Sequence, residues 1–447
     1  MDTPVCRFVA QYAAKNALRL HMPGHKGLTN LGPEPLDITE ITDADSLYEA
    51  GGIIRKSEEN ASRLFGASTF YATEGSSQCI RAMVYLATLW AKAHGRRPLI
   101  AAGRNAHRSF LSALSLCRCD VAWLYPQVAG SYLSCPLTPH ALAAYFAAQA
   151  ELPAAVYVTS PDYLGNMVDL PAIAAVCRQY GVLLLVDNAH GAYLHFLPTP
   201  ADPISAGADL CCASAHKTLP VLTGGAYLHV SSLVDPFFTA EAKNALAMFG
   251  STSPSYLILQ SLDSVNQTLE NYPATLAAYL PKVEAFRRDL AALGYILQGR
   301  EPLKLTIATK PYGYTGIEMA AALAERDIVC EFADQDYLVC MLSPLLGEEG
   351  LARCCHALTA LPRRAPLLSE PPQVPPPIRV FSAAEAAFMP RECVSAAESE
   401  GRILALATVG CPPAVPIVVS GERISRAAVE AFAYYGIQTC TVLKEFS

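Results

Sequence analysis

The chain has 447 residues, 52% hydrophobic and 16% charged, with a formal net charge of −7. That is enough apolar material for a large buried core and, by length, for two to four domains. The negative balance, and basic pairs as short and isolated as Arg96-Arg97 and Arg363-Arg364, exclude a nucleic-acid footprint.

Taken in chain order, Met1-Asp2-Thr3-Pro4 opens no charged segment followed by an apolar run, so no secretory signal is expected. Between about residue 60 and residue 230 the periodicity alternates between apolar β-branched runs and helical patterns. It predicts a helix over 77–93, a strand over 98–102, a helix over 108–116 and a strand over 121–124. The alternation resumes with a helix over 139–149, a strand over 155–159, a helix over 171–180 and strands over 182–187 and 210–214. Such a pattern is that of an α/β fold whose mainly parallel sheet is covered by helices, with ligands at the carboxyl ends of the strands. Asp187, the Thr159-Ser160-Pro161 turn and the segment 214–217 each follow a strand directly.

Further on, 255–293 reads as a long helical stretch broken near Pro273 and Pro281. Strands over 303–308 and 337–342 flank a helix over 315–326, and the unit they form ends near Leu361. Pro371-Pro372 and Pro375-Pro376-Pro377 mark 362–377 as an extended linker. The expected organisation is an amino-terminal segment 1–30, a large domain 31–265, a small α/β domain 266–361, the linker, and a carboxyl-terminal α+β domain 378–447. The longest apolar run, 403–419, is interrupted by Gly410, Pro412, Pro413 and Pro416, which suits a strand-turn-strand and not a membrane span. The fifteen cysteines include no C-x-x-C pair and read as reduced, structural thiols in a reducing, cytoplasmic compartment.

Ser214-Ala215-His216-Lys217-Thr218 places a lysine beside small residues and a hydroxyl, and the run 182–187 ends on an acid, Asp187. These are the two groups a pyridoxal phosphate (PLP) site needs. The amine takes the aldehyde, and the buried carboxylate keeps the pyridine nitrogen protonated so that the ring accepts electrons. Thr73-Glu74-Gly75-Ser76-Ser77, just before the 77–93 helix, could seat the phosphate on backbone N–H groups. His107 follows a strand, where an imidazole could stack on a flat ring. His190 and His195 lack the glutamate of H-E-x-x-H, so no metal is expected. His21-Met22-Pro23-Gly24-His25-Lys26-Gly27 lacks the glycine spacing and the hydroxyl of a nucleotide phosphate loop.

These segments resemble the ornithine/lysine/arginine decarboxylase family of fold-type I PLP enzymes. The resemblance spans nearly the whole chain and is carried by His21-Met22-Pro23-Gly24-His25-Lys26-Gly27, Asp37-Ile38-Thr39-Glu40, Asp45-Ser46-Leu47, Phe65-Gly66-Ala67, Asn105-Ala106-His107-Arg108-Ser109, Asp187-Asn188-Ala189-His190-Gly191-Ala192 and Ser214-Ala215-His216-Lys217-Thr218-Leu219. Ser251-Thr252-Ser253-Pro254-Ser255-Tyr256 and the tail segment 416–424 add to it. It implies that Lys217 holds the cofactor, Asp187 partners the pyridine nitrogen and His107 stacks on the ring. It further implies that Gly75, Ser76, Ser214 and His216 hold the phosphate, with His190 near the phenolic oxygen or the substrate carboxylate. His216 or Lys217 would return the proton to the α-carbon. The family works as a homodimer with shared sites, in which 251–253, Thr252 included, reaches the neighbour's phosphate; larger assemblies of dimers are also open.

The implied reaction is decarboxylation of arginine, lysine or ornithine to a polyamine precursor or related diamine. Transamination or elimination on the same core, and a catalytically silent scaffold, are the competing readings. Three departures stand out. Asn188 replaces a common glutamate, Glu74-Gly75-Ser76-Ser77 replaces a more hydroxyl-rich phosphate segment, and the additional amino-terminal domain of the long members is not expected, which groups the chain with the short forms. Glu40, Asp43, Asp45, Glu331 and Asp334 are the acidic candidates for meeting a basic side chain.

Overall fold

Helices α1 (Pro4–Ala14) and α2 (Ile53–Phe65) precede strand β1 (Ser68–Ala72) and helix α3 (Gly75–Ala93). Then follow β2 (Leu99–Gly103), α4 (Arg108–Cys117), β3 (Asp120–Leu124), α5 (Pro139–Ala147), β4 (Ala155–Thr159), α6 (Leu170–Tyr180), β5 (Leu183–Asp187), β6 (Leu210–Ala213), α7 (Ala215–Thr218), β7 (Ala226–Val230) and α8 (Pro236–Ala247). The chain continues through α9 (Tyr256–Leu269), α10 (Tyr272–Ala292), β8 (Ile296–Gln298), β9 (Lys304–Ala308), α11 (Gly316–Ala324), β10 (Phe332–Ala333), β11 (Tyr337–Met341) and α12 (Gly347–Thr359). It ends with α13 (Ala383–Ala387), β12 (Arg391–Ser395), β13 (Leu404–Leu406), α14 (Arg426–Tyr434) and β14 (Thr439–Leu443). This computed structural model describes residues 1–126, 130–407 and 413–445.

The chain divides into two units, Met1–Arg96 with Leu170–Leu276 and Arg97–Asp169 with Ala277–Ser447. In the first unit four strands are neighbours in the order β1-β7-β6-β5. β5 and β6 run parallel, with Asp187 opposite Cys212, while β7 is antiparallel to both β6 and β1. Every residue of β5, β6 and β7 is buried. Continuous apolar runs such as Leu183-Leu184-Leu185-Val186 are what strands covered on both faces require. In the second unit β4-β2-β3 are neighbours and wholly parallel, with Ala101 opposite Val156 on one side and Ala122 on the other. That unit also holds two antiparallel sheets, β10-β11-β9-β8 and, in the tail, β12-β14-β13. The α/β class expected from the alternating pattern is observed in the mainly parallel strands, whereas the small sheet expected to be α/β is antiparallel, as is the sheet of the α+β tail.

Two expectations are corrected. The helical stretch 255–293 breaks near Pro273 as expected, at 270–271 between α9 and α10, but does not break at Pro281. Pro273 sits in the first turn of α10, where its missing N–H would have no intrahelical partner anyway, and Pro281 lies inside an unbroken helix. In the apolar run 403–419 the strand Leu404–Leu406 forms, whereas 413–419 is irregular. Gly410 and Pro412 lie outside the described residues. No helix among the described residues is long and apolar enough to cross a membrane.

Candidate functional site

The first unit converges on the carboxyl end of β5. Asp187, the last residue of that strand, is 2% exposed. Its Oδ1 accepts from the Ala189 backbone N–H at 3.2 Å and from the Cys212 thiol at 3.5 Å. The carboxylate is thus oriented by one donor from the turn that follows β5 and one from β6. Burial, reinforced by the negative charge of Asp187, pushes the Cys212 thiol well up, so it remains a neutral donor. Three residues after Asp187, His190 Nε2 lies 3.0 Å from Lys217 Nζ. Asn188 turns inward, its Nδ2 donating to the Gly191 carbonyl, and a Cβ at Gly191 would fall 2.1 Å from Asn188 Oδ1. Glycine is therefore the residue that lets this turn close.

β6 delivers Ser214 and the one-turn helix α7 that carries His216 and Lys217. The Lys217 N–H donates to the Ser214 carbonyl at 3.1 Å, and the His216 N–H to the Gly225 carbonyl at 3.1 Å. His216 Nδ1 lies 3.0 Å from the same Gly225 oxygen, which can only accept, so Nδ1 carries the proton. Ser214 Oγ donates to Ser76 Oγ at 2.8 Å, joining α7 to the start of α3. There Gly75 takes φ +71°, its N–H donates to the Gly224 carbonyl at 2.8 Å, and a Cβ on it would lie 3.9 Å from His216 Cε1. Glu74 makes no side-chain cap to α3. Its Oε1 instead accepts from the Ser251 N–H at 2.6 Å, bringing the 251–253 loop to the head of α3.

Of the residues singled out from the sequence, Lys217 and His190 meet, Ser76 and Ser214 meet, and Gly75 lies against His216. Thr252 is exposed, and no hydrogen bond among the described residues joins it to Ser76 or Ser214. His107, in the other unit, caps α4, its Nδ1 accepting from the Ser109 N–H at 3.1 Å. Asp45 accepts from the N–H groups of Gly52 and Ile54 at 2.8 and 2.9 Å, so it holds the head of α2. Glu331 Oε1 accepts from Tyr163 OH at 2.9 Å, and Glu40 Oε2 from Thr39 Oγ1 at 2.5 Å. Among the described residues no group of three or more His, Cys, Asp or Glu is placed to hold a metal ion. Cys212 and Gly225 were missed. Cys212 reads in sequence as an ordinary buried thiol, and the one available signal was its place two residues before Ser214.

A buried acid at a strand end, a lysine amine held by an imidazole, and hydroxyls with a positive-φ glycine at a helix head fit PLP group by group.

Residues 3–298 match the family model described as "Orn/Lys/Arg decarboxylase, major domain". The Bacillus subtilis (strain 168) protein YaaO is 30% identical over 476 residues, covering 96% of this chain and 93% of its own. An arginine decarboxylase of the same organism is 28% identical over 95% of this chain and 91% of its own. Among solved structures, lysine decarboxylase A from Pseudomonas aeruginosa superposes with a TM-score of 0.80 at 18% identity, covering 99% of this chain and 80% of that one.

Proposed function

Because the chain belongs to the Orn/Lys/Arg decarboxylase family, and is thereby a PLP-dependent decarboxylase, we propose that it converts a basic amino acid, arginine ahead of lysine or ornithine, to the corresponding amine and CO2. The preference for arginine rests on the relative of that name, which matches 95% of the chain. The lysine decarboxylase structure, at 18% identity, speaks to fold alone. The observation that carries the reading is the meeting of Lys217 and His190 at 3.0 Å three residues beyond the buried Asp187.

When bound, PLP accepts the electron pair released as the bond from the α-carbon to the carboxylate breaks. Lys217 would hold the cofactor's aldehyde, and His190 would hold the lysine side chain in place and hydrogen-bond the phenolic oxygen or the substrate carboxylate. Asp187, fixed by Ala189 and Cys212, would keep the pyridine nitrogen protonated. Ser76, Ser214, His216 and the Gly75 backbone would seat the phosphate. His216 or Lys217 would return a proton to the α-carbon once CO2 has left. His107 would stack on the ring. The amine would serve as a polyamine precursor.

A homodimer accompanies this reading. Leu18, Leu20, Met22, Leu28 and Leu31, all between α1 and residue 34, are 85%, 85%, 63%, 75% and 86% exposed. Exposed apolar side chains gathered on one segment support a partner surface, and a second copy of the chain would cover them. The Thr252 loop, held by Glu74, would then face the neighbour's phosphate. The free thiols favour the cytoplasm as the working compartment.

The test is incubation of PLP-loaded protein with arginine, lysine and ornithine separately, following CO2 and identifying the amine by mass spectrometry. Agmatine from arginine is the expected result. A keto acid without CO2 would move the activity to transamination, and no product from any of the three would sink the substrate class.

A further inference from the structure

In the second unit, β10 and β11 are joined by the turn Asp334-Gln335-Asp336, so two carboxylates leave one tight turn. Asp336 is fully engaged. Its Oδ1 lies 2.7 Å from Lys310 Nζ and accepts from Tyr434 OH at 2.7 Å, while Oδ2 accepts from Tyr435 OH at 3.3 Å. Asp334 is half engaged. Its Oδ1 accepts from the N–H groups of Asp336 and Tyr337, both at 2.7 Å, which forms the turn. Its Oδ2 has no hydrogen-bond partner among the described residues, although the residue is only 8% exposed. One lysine thus serves two carboxylates, and a buried negative charge is left over. A carboxylate removed from water without a counter-charge is costly, so such an arrangement favours whatever brings a positive charge to it.

Asp334 lines a cavity of about 250 Å3 together with Tyr132, Tyr435, Phe332, Ile317 and Val415. Tyr132 and Tyr435 form a tilted pair with ring centroids 4.8 Å apart. The volume falls below the range of about 300–1,000 Å3 usual for drug-sized ligands, so the occupant is small. Aromatic faces attract cations and pack alkyl chains, and the surplus carboxylate sets the sign.

We propose that Asp334, which lines this aromatic cavity and whose Oδ2 has no hydrogen-bond partner among the described residues, anchors a small organic cation, a primary ammonium or guanidinium on a short alkyl chain. The site stands on its own residues, and only the choice of probes rests on the decarboxylase reading. Two sources present this chemistry, the basic end of a substrate amino acid and a free amine acting at a separate site.

The experiment is isothermal titration of the full-length, PLP-loaded protein with agmatine, cadaverine and putrescine, with uncharged 1,5-pentanediol as control. Saturable binding of at least one amine at one site per chain is expected, with no binding of the diol. Asp334→Asn, whose amide oxygen can still accept the two turn N–H groups, should weaken that binding at least about tenfold, the worth of one charge-assisted hydrogen bond. In the unmodified protein the affinity should fall about tenfold per pH unit below about 6, where burial, the largest influence, holds the Asp334 carboxyl. The other groups facing it are Asp336, Lys310, Tyr132, Tyr337 and Tyr435. No amine binding, equal binding of the diol, or binding unaltered by both Asp334→Asn and acid would overturn the proposal. A KM for the amino acid that rises with Asp334→Asn by the same factor would assign the cavity to the substrate's end. An unchanged KM would assign it to a free amine. Amine binding without turnover would remove the decarboxylase reading and leave this one standing.

Discussion

Cys212 Sγ donates to Asp187 Oδ1 across the parallel pair β5 and β6, at 3.5 Å. The thiol is fully buried and its ionisation suppressed, so two consequences are measurable. In the folded protein Cys212 should not react with a thiol reagent at neutral pH, and should do so after denaturation. Cys212→Ala should leave the fold intact and weaken PLP retention about two- to fivefold, the worth of one modest hydrogen bond, read by dialysis against visible absorbance.

Lys217→Ala should abolish the visible band of covalently held cofactor and bring decarboxylation below detection. Asp187→Asn should keep the band but lower kcat on the order of a hundredfold, ~3 kcal/mol of barrier, because a neutral amide no longer favours the protonated ring. An Asp187→Asn enzyme with unchanged kcat would remove Asp187 from its proposed role.

Much of this was legible in the sequence because a strand covered on both faces must be continuously apolar. Leu183 to Val186 announce themselves, and Asp187 stands out as the polar residue that ends the run. Lys217 was legible from its motif neighbours. β7 was not, since Tyr227 and His229 break the apolar run with residues whose burial depends on packing. His229, for instance, is 4% exposed and held by Thr69. The Glu74–Ser251 contact spans 177 positions, and no local pattern encodes a pairing at that distance. The surplus charge at Asp334 was invisible for a related reason. Its sign could be read, but its two oxygens could be told apart only once the turn had formed.

Gly224 lies at φ +101°, and a Cβ there would sit 2.7 Å from the Thr73 carbonyl oxygen. Because its own carbonyl receives the Gly75 N–H, the clash would be transmitted to the head of α3. Gly224→Ala should cost about 1–3 kcal/mol of stability, seen as a lower melting temperature, and should weaken PLP binding by more than the same cost placed at Gly191.

Burial, ahead of the hydrogen bonds that oppose it, raises the Asp334 carboxyl from 3.8 to about 6 in the folded protein. At this carboxyl the folded state therefore binds the proton more tightly than the unfolded chain, and its contribution to stability rises as pH falls from 7 toward 4. That contribution is complete below the unfolded value and lost as pH rises through about 6, with an upper bound of about 3 kcal/mol. Asp334→Asn should flatten this part of the profile and make the protein more stable at pH 8, measured by denaturant unfolding across pH.

Helix α7 is four residues long, yet its backbone is secured at Ser214, at Gly225 and through the Leu219 N–H to the Ala215 carbonyl. Lys217 is therefore rooted in a segment with no slack, and the freedom left to its amine is the rotation of its own methylenes. On the proposed reading, the amine would leave and retake the cofactor by turning about those methylenes alone. Each catalytic round would return the amine to the same spot without refolding anything around it.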